Sequence, residues 1–181
     1  MENAKAQQIL DFWLQSGPSA WWRKDSKFDS SIKQRFGDLI EPAANRQLDS
    51  WRRQPQSCLA LVLILDQFSR NLFRESDKAF AQDGYALELA KHGVENGFDD
   101  NQPTNLYDFI YMPFMHSEKL EDQNTCVELF RTRANDASLK AAIEHRDIIA
   151  RFGRFPHRNS LLGRKTTAKE QAFLDSGGFS G

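Results

Sequence analysis

Proline and glycine are scarce, 6 and 10 of 181 residues, too few for a low-complexity linker protein or a collagen-like repeat. Only two cysteines occur, Cys58 and Cys126. Both sit inside apolar helical patterns, where a thiol reads as a small buried hydrophobe more readily than as a disulfide partner or a nucleophile. Long hydrophobic runs are missing too. The longest, Leu59 to Leu65, falls far short of the ~20 residues a helix needs to cross a bilayer. The amino-terminal Met-Glu-Asn-Ala-Lys-Ala-Gln-Gln-Ile-Leu has neither the apolar h-region nor the cleavage site of a secretory signal. Neither sign of charge is in excess: Lys+Arg 24 against Asp+Glu 25 gives a net charge of −1, which argues against a dedicated nucleic-acid binder. These absences lead to the expectation of a cytoplasmic chain with no membrane and no nucleic-acid partner.

What is present is bulk at helical spacing. With 40% hydrophobic residues, 14 Phe and 4 Trp, the chain can bury one sizeable core, and a single helical domain over 1–181 is expected. Ala6, Ile9, Leu10, Trp13 and Leu14 form an apolar stripe that stops before Gly17-Pro18. Phe28, Ile32, Phe36 and Ile40 space a second helix by fours, with Asp25 or Ser26 as N-cap. Pro42 is expected to end or kink it, with a short helical continuation from Ala43 to Trp51. The stretch Trp51 to Ser57, carrying Pro55, reads as a polar connection. From Cys58 to Leu65 every residue is apolar, so that segment is expected to be buried all round, and because the helical spacing continues through Phe68, Leu72 and Phe73 one long central helix is predicted.

The pattern continues in helices to the end. Asp77 is read as the cap of a helix through Lys91, and Thr104 as the start of one through Phe109 and Ile110 that Pro113 interrupts. Glu118 to Arg133 is amphipathic again. Ser138 opens a helix ending near Arg154 or Phe155, because the residue before Pro156 is pushed out of the α region. Thr167-x-x-Glu170 forms a capping box for a last short helix, stopped by Gly177-Gly178. No segment alternates with period two. About eight helices in antiparallel hairpins, an all-α fold, are therefore expected. No clean 34-residue repeat is visible, so periodicity alone does not license a tetratricopeptide assignment.

Four polar clusters stand out from this apolar background. Asp66, Arg70 and Arg74 lie at i, i+4 and i+8 on the most apolar helix, where Asp66 and Arg70 can pair on one face. A structural ion pair and a functional site both fit them. His116, Ser117 and Glu118 follow Pro113 at an expected helix break, where His116 either caps a carbonyl or acts on a ligand. His145 shares a face with Ile148, Ile149 and Phe152, the mark of a hydrogen-bonded core histidine whose pKa burial lowers. Arg151, Arg154, His157 and Arg158 crowd four potential cations into eight residues. Such a set suits a carboxylate or phosphate, or merely complements the negative end of a helix. An internal partner also exists. Residues 95–122 carry seven acids and one base, and residues 140–165 seven bases and two acids, so the two stretches can neutralise each other.

Other chemistry is not encoded in recognisable form. There is no HExxH, CxxC, Walker loop, Gly-rich dinucleotide turn or Gly-x-Ser-x-Gly elbow. His116, Glu118, His145 and His157 have no recognised ligand spacing, so no metal and no cofactor are expected.

The sequence is nevertheless similar to a known family. Leu-Ala-Leu-Val-Leu-Ile-Leu-Asp-Gln-Phe-Ser-Arg-Asn-Leu-Phe-Arg (59–74), Tyr-Met-Pro-Phe-Met-His-Ser-Glu (111–118) and Arg-Phe-Gly-Arg-Phe-Pro-His-Arg-Asn (151–159) resemble an uncharacterised bacterial family, domain of unknown function 924. Ile-Leu-Asp-Phe-Trp (9–13) and Phe-Leu-Asp-Ser-Gly-Gly-Phe-Ser-Gly (173–181) look similar as well. One departure is Ser69, where the family pattern has proline. The resemblance implies a tetratricopeptide-like, right-handed α-α superhelix and no established reaction. Its motif segments coincide with the polar clusters. By that analogy a shared pocket of Asp66, Arg70, His116, Glu118, Arg154, His157 and Arg158 is expected.

Two functions fit this reading. In one, a small anionic ligand sits in a concave helical pocket, clamped by Arg154 and Arg158. His116 or His157 then donates or accepts a proton, oriented by Glu118 or Asp66, if there is chemistry at all. In the other, a tetratricopeptide-like scaffold binds a peptide or partner protein without catalysis, through exposed aromatics such as Trp21, Trp22 and Trp51. A homodimer through Trp21-Trp22 is a third, plainer possibility.

Overall fold

A computed structural model describes residues 2–102, 106–133 and 136–179. Every regular element is helical, and among the described residues there is no strand. No described helix is long and apolar enough to cross a membrane. The chain sorts into two compact units, Met1–Arg74 with Lys78–Pro113, and Glu75–Asp77 with Phe114–Gly181.

The first unit opens with α1 (Glu2–Ser16), whose stripe of Ala6, Ile9, Leu10 and Trp13 is buried. Leu14, at the edge of that stripe, is exposed. Gly17, with φ 68°, turns the chain into α2 (Pro18–Trp21), where Pro18 sits in the first turn and forfeits no intrahelical bond. α3 (Ser26–Phe36) is capped by Asp25, whose Oδ1 accepts the amides of Lys27 at 2.8 Å and Phe28 at 3.2 Å. A 3-10 turn, Gly37–Leu39, separates it from α4 (Ile40–Ala44). Pro42 does not stop a helix here. It lies in the first turn of α4, where amides lack intrahelical partners in any case. The expected helix from Ala43 to Trp51 is replaced by a turn and a 3-10 segment, Asp49–Arg53, with Arg46 left-handed at φ 59°.

The central helix is continuous but not uniform. α5 (Pro55–Val62) passes through a π turn, Leu63–Phe68, into α6 (Ser69–Leu72). No side chain from Cys58 to Leu65 is more than 1% exposed, and each large one contributes about 2 kcal/mol by leaving water. Trp13 anchors an aromatic core beside it, with ring centroids 5.7 Å from Phe28 and Phe68 and 5.4 Å from Phe109. Asp77 does not cap a long helix: a 3-10 turn, Asp77–Ala79, precedes α7 (Asp83–Glu95).

Pro113 does not interrupt its helix. It lies inside α8 (Asp108–His116), and the division between the units falls just after it. The proline removes one backbone bond. Its neighbours Phe109, Ile110, Tyr111, Phe114 and Met115 are all buried, and that burial outweighs the loss. The expected start at Thr104 lies outside the described residues.

In the second unit, α9 (Leu120–Thr132) and α10 (Asp136–Phe152) pair as a hairpin. Cys126, Val127 and Phe130 face inward from α9, and Ala142, His145, Ile148 and Ile149 from α10. α10 ends at Phe152, short of Arg154, because Gly153 turns left-handed at φ 70°. Phe155, next to Pro156, is extended as expected, with φ −86° and ψ 111°. α11 (Ala168–Asp175) carries the predicted capping box complete. After it Gly177 takes φ 80°, and a Cβ on Gly178 would stand 2.6 Å from Phe173. Only glycine fits there, and the close turn brings Phe179 onto the core of Ile148, Ile149 and Phe155.

Candidate functional site

Asp66 and Arg70 belong to the first unit. The π turn places Asp66 with no exposed surface. Arg70 Nη1 lies 3.1 Å from Asp66 Oδ1 and donates to the Asp66 carbonyl at 2.9 Å. Its Nη2 lies 2.9 Å from Asp83 Oδ1 and 3.0 Å from Oδ2, while Gln67 Nε2 donates to Asp66 Oδ2 at 2.6 Å. Burial opposes the charge on Arg70, and the two carboxylates outweigh it. Arg74 leaves this face entirely. Its Nε and Nη2 bond Asp29 at 2.7 and 2.8 Å, beside Asn71. Each charge named here thus meets an opposite charge within its own unit, as a structural ion pair requires.

The second unit gathers the remaining candidates around the end of α8. His116 closes that helix, and the buried Gln123 reaches back from α9 to take the carbonyls of Met115 at 2.6 Å and Ser117 at 2.7 Å. Ser117 donates to Asp122 at 2.7 Å. Glu118 is tightly held: Oε1 accepts the Phe155 amide at 2.8 Å and Arg164 Nη2 at 3.0 Å, and Oε2 accepts Arg164 Nη1 at 2.7 Å. Burial resists its charge, but Arg164, the Phe155 amide and Arg158 together keep its carboxyl below the usual range. Glu118–Arg164 is thus one realised pairing between the acidic and basic stretches.

Arg154 is occupied elsewhere. Its Nε and Nη2 bond the two oxygens of Glu170 at 2.6 and 2.9 Å, and Nη2 also donates to the Lys165 carbonyl at 2.9 Å. That carboxylate belongs to the capping box, so Arg154 fastens α11 to the end of α10.

Two histidines flank Phe179. His145 is a core histidine as its spacing indicated: it is 8% exposed, and Nδ1 lies 2.8 Å from the Ala141 carbonyl. Its ring meets Phe155 at 5.6 Å and Phe179 at 4.4 Å. His157 meets the same two rings at 5.6 and 5.1 Å, and its buried Nδ1 has no hydrogen-bond partner. Arg158, 6% exposed, stands 4.6 Å from the centre of the Phe155 ring. Beside it Asn159 is 1% exposed, with Oδ1 unbonded.

Burial lowers the pKa of His145 to about 4 against the hydrogen bond to the Ala141 carbonyl, and His116 and Arg158 add to the lowering. Burial lowers His157 further, to about 3, with Arg158, His145 and His116 adding to it and only Glu118 opposing. Both imidazoles are neutral near pH 7 within a positive field. His116, Glu118, His157 and Arg158 of the expected set therefore share one neighbourhood. His145 and Arg164 join them. The signal for Arg164 was its place in the basic stretch; for His145 there was none beyond an apolar helix face.

The chain has counterparts among known proteins. A family model described as a bacterial protein of unknown function (DUF924) matches residues 9–178, which include all three long motif segments. A solved structure from Agrobacterium tumefaciens, described as a protein of unknown function, is 41% identical over 97% of this chain and 99% of that one, with a TM-score of 0.94. No curated protein matches the chain. Sequence match and shared fold agree along nearly the whole length, and the chain belongs to the DUF924 family of bacterial proteins of unknown function.

Proposed function

We propose that the second unit binds a small anion, a carboxylate or phosphate, beside His157, with His116, Arg158 and Asn159 around it. One observation carries this reading: the Nδ1 of His157 is buried without a hydrogen-bond partner among groups that drive off its proton. A buried polar atom left unbonded costs about 1–3 kcal/mol. An oxyanion relieves that penalty in a particular way. Its negative charge offsets the field of Arg158 and raises the pKa of His157, so that Nδ1 gains a proton and donates to the ligand. Binding is then coupled to proton uptake. Glu118 stays committed to Arg164 and Phe155 and acts as a positioning residue.

The scaffold alternative has less support. It calls for several exposed aromatics, yet Trp51 is 3% exposed and Trp21 donates Nε1 to the Trp13 carbonyl at 2.8 Å. Trp22, at 58% exposed, is the one that fits.

Calorimetric titration with inorganic phosphate and with acetate, from pH 8 to pH 5 in two buffers of different ionisation enthalpy, tests the proposal. Affinity should rise as pH falls, with net proton uptake, and His157→Gln should abolish the pH dependence. Absence of binding by both anions, or pH-independent binding unchanged by His157→Gln, would refute it.

A further inference from the structure

A separate concavity of about 500 Å³ lies wholly within the first unit, lined by Asp49, Arg52, Arg53, His92, Asn96 and Phe98 among others. It uses none of the residues considered above. Arg52 and Arg53 are consecutive on the 3-10 turn Asp49–Arg53, where about three residues make a turn and neighbouring side chains diverge by about 120°. They therefore reach one concavity from different directions. The turn itself is well fixed. Trp51 is 3% exposed and buries its middle, and Ser57 Oγ donates to the Trp51 carbonyl at 2.7 Å.

The opposite wall is equally ordered. His92 Nε2 lies 3.0 Å from the Arg52 carbonyl, which can only accept, so Nε2 carries the proton. Nδ1 is then the acceptor facing Asn96 Nδ2 at 3.3 Å, and the same amide nitrogen bonds the His92 carbonyl at 2.8 Å. Asn96 is held in one orientation, and Phe98 stands edge-on to the imidazole at 5.6 Å.

Charge around the concavity is unevenly committed. Glu88 bonds Arg46 at 2.6 and 3.3 Å and meets Arg52 only at 3.4 Å. Asp49 accepts the Tyr85 hydroxyl. The Arg53 side chain is exposed and, among the described residues, makes no ion pair or hydrogen bond. Arg46 and Arg52 thus share Glu88, Asp49 is engaged by Tyr85, and Arg53 lines the same concavity beside Arg52. From this geometry we infer a second, independent anion site, taking a small phosphate or carboxylate between Arg53 and the loosely paired Arg52, with Phe98 as its apolar wall. Guanidinium forks suit both oxyanions. The His92–Asn96 wall is already ordered, so the conformational freedom lost on binding is mainly that of the Arg53 side chain.

Nuclear magnetic resonance on the full, ¹⁵N-labelled chain tests the inference. Inorganic phosphate and acetate are titrated separately against sodium chloride at matched ionic strength. Saturable shifts of the His92, Asn96 and Phe98 amides are expected with at least one of the two, and the responding anion identifies the source. Arg53→Gln, an exposed substitution, should weaken that binding about tenfold, the scale of one charge-assisted bond, whereas His157→Gln should leave it unchanged. Shifts no larger than those with chloride, or the same affinity in Arg53→Gln, would overturn the site. Loss of these shifts in His157→Gln would overturn its independence.

Discussion

Arg154 lays its guanidinium along the carboxylate of Glu170, with Nε to Oε1 at 2.6 Å and Nη2 to Oε2 at 2.9 Å. Glu170 simultaneously accepts the Thr167 amide at 2.7 Å, while Thr167 Oγ1 accepts the Glu170 amide at 3.3 Å. One carboxylate thereby starts α11 and ties it to the end of α10. Thr167→Ala should cost about 1 kcal/mol, the usual worth of an N-cap. Arg154→Ala should lower Tm further than Thr167→Ala, because it strands the buried Glu170 carboxylate. Thermal unfolding of both variants at pH 7 measures the difference, and a smaller effect of Arg154→Ala would contradict the arrangement.

Acid should weaken the second unit through its histidines. Folding lowers His145 to about 4 and His157 to about 3, from 6.5. Below pH 6.5 the unfolded chain therefore binds protons that the folded chain refuses, and stability falls as pH drops from 6.5 towards 4. For the buried His145 alone the loss has an upper bound of about 3 kcal/mol. Tm measured across that window should decline, and His145→Gln should flatten the decline. A variant profile parallel to the parent's would rule out this origin.

Glu118 joins parts of the second unit that are far apart in sequence. Glu118→Ala removes the acceptor for the Phe155 amide and the partner of Arg164. Leaving that amide unsatisfied should cost about 1–3 kcal/mol, read from urea unfolding as a lower midpoint with unchanged slope. Glu118→Gln keeps an acceptor and should recover part of the loss.

Ser69 offers a test of the π turn. It follows Leu63–Phe68 with φ −58°, a value proline adopts without strain. In an ordinary helix a proline ring collides with the carbonyl four residues back. A π turn displaces that carbonyl from its α-helical position. Ser69→Pro should therefore fold with stability within about 1 kcal/mol of the parent, partly because proline restricts the unfolded chain. A loss near the roughly 3 kcal/mol of a mid-helix proline, seen in denaturant unfolding, would contradict this account.

Part of the candidate site could be read from residue types and part could not. Arg158 and His157 stood out because four potential cations fall within eight residues. Glu118 stood out beside His116 after Pro113, Arg164 only as a member of the basic stretch, and their pairing at 2.7 Å needed the fold to choose between many acids and bases. His145 gave the signal of a core residue and is one. Its place next to His157 follows from Phe179, which touches both rings. Pro113 shows the opposite limit. Its local chemistry argues for a break, and the burial of the side chains around it decides otherwise.

The residue pattern alone specifies the all-α class, the buried Cys58–Leu65 stretch of the central helix, the Thr167–Glu170 capping box and the stop at Gly177, and it narrows the cap of α3 to Asp25 or Ser26. Each rests on spacing or on bonds within a few residues, so local order suffices. Tertiary structure alone decided partners: Arg74 with Asp29, 45 residues away, Arg154 with Glu170, 16 away, and Glu118 with Arg164, 46 away. A guanidinium fits any carboxylate equally well by type. Which one it meets depends on how buried apolar surfaces bring distant segments together, and no periodicity encodes that.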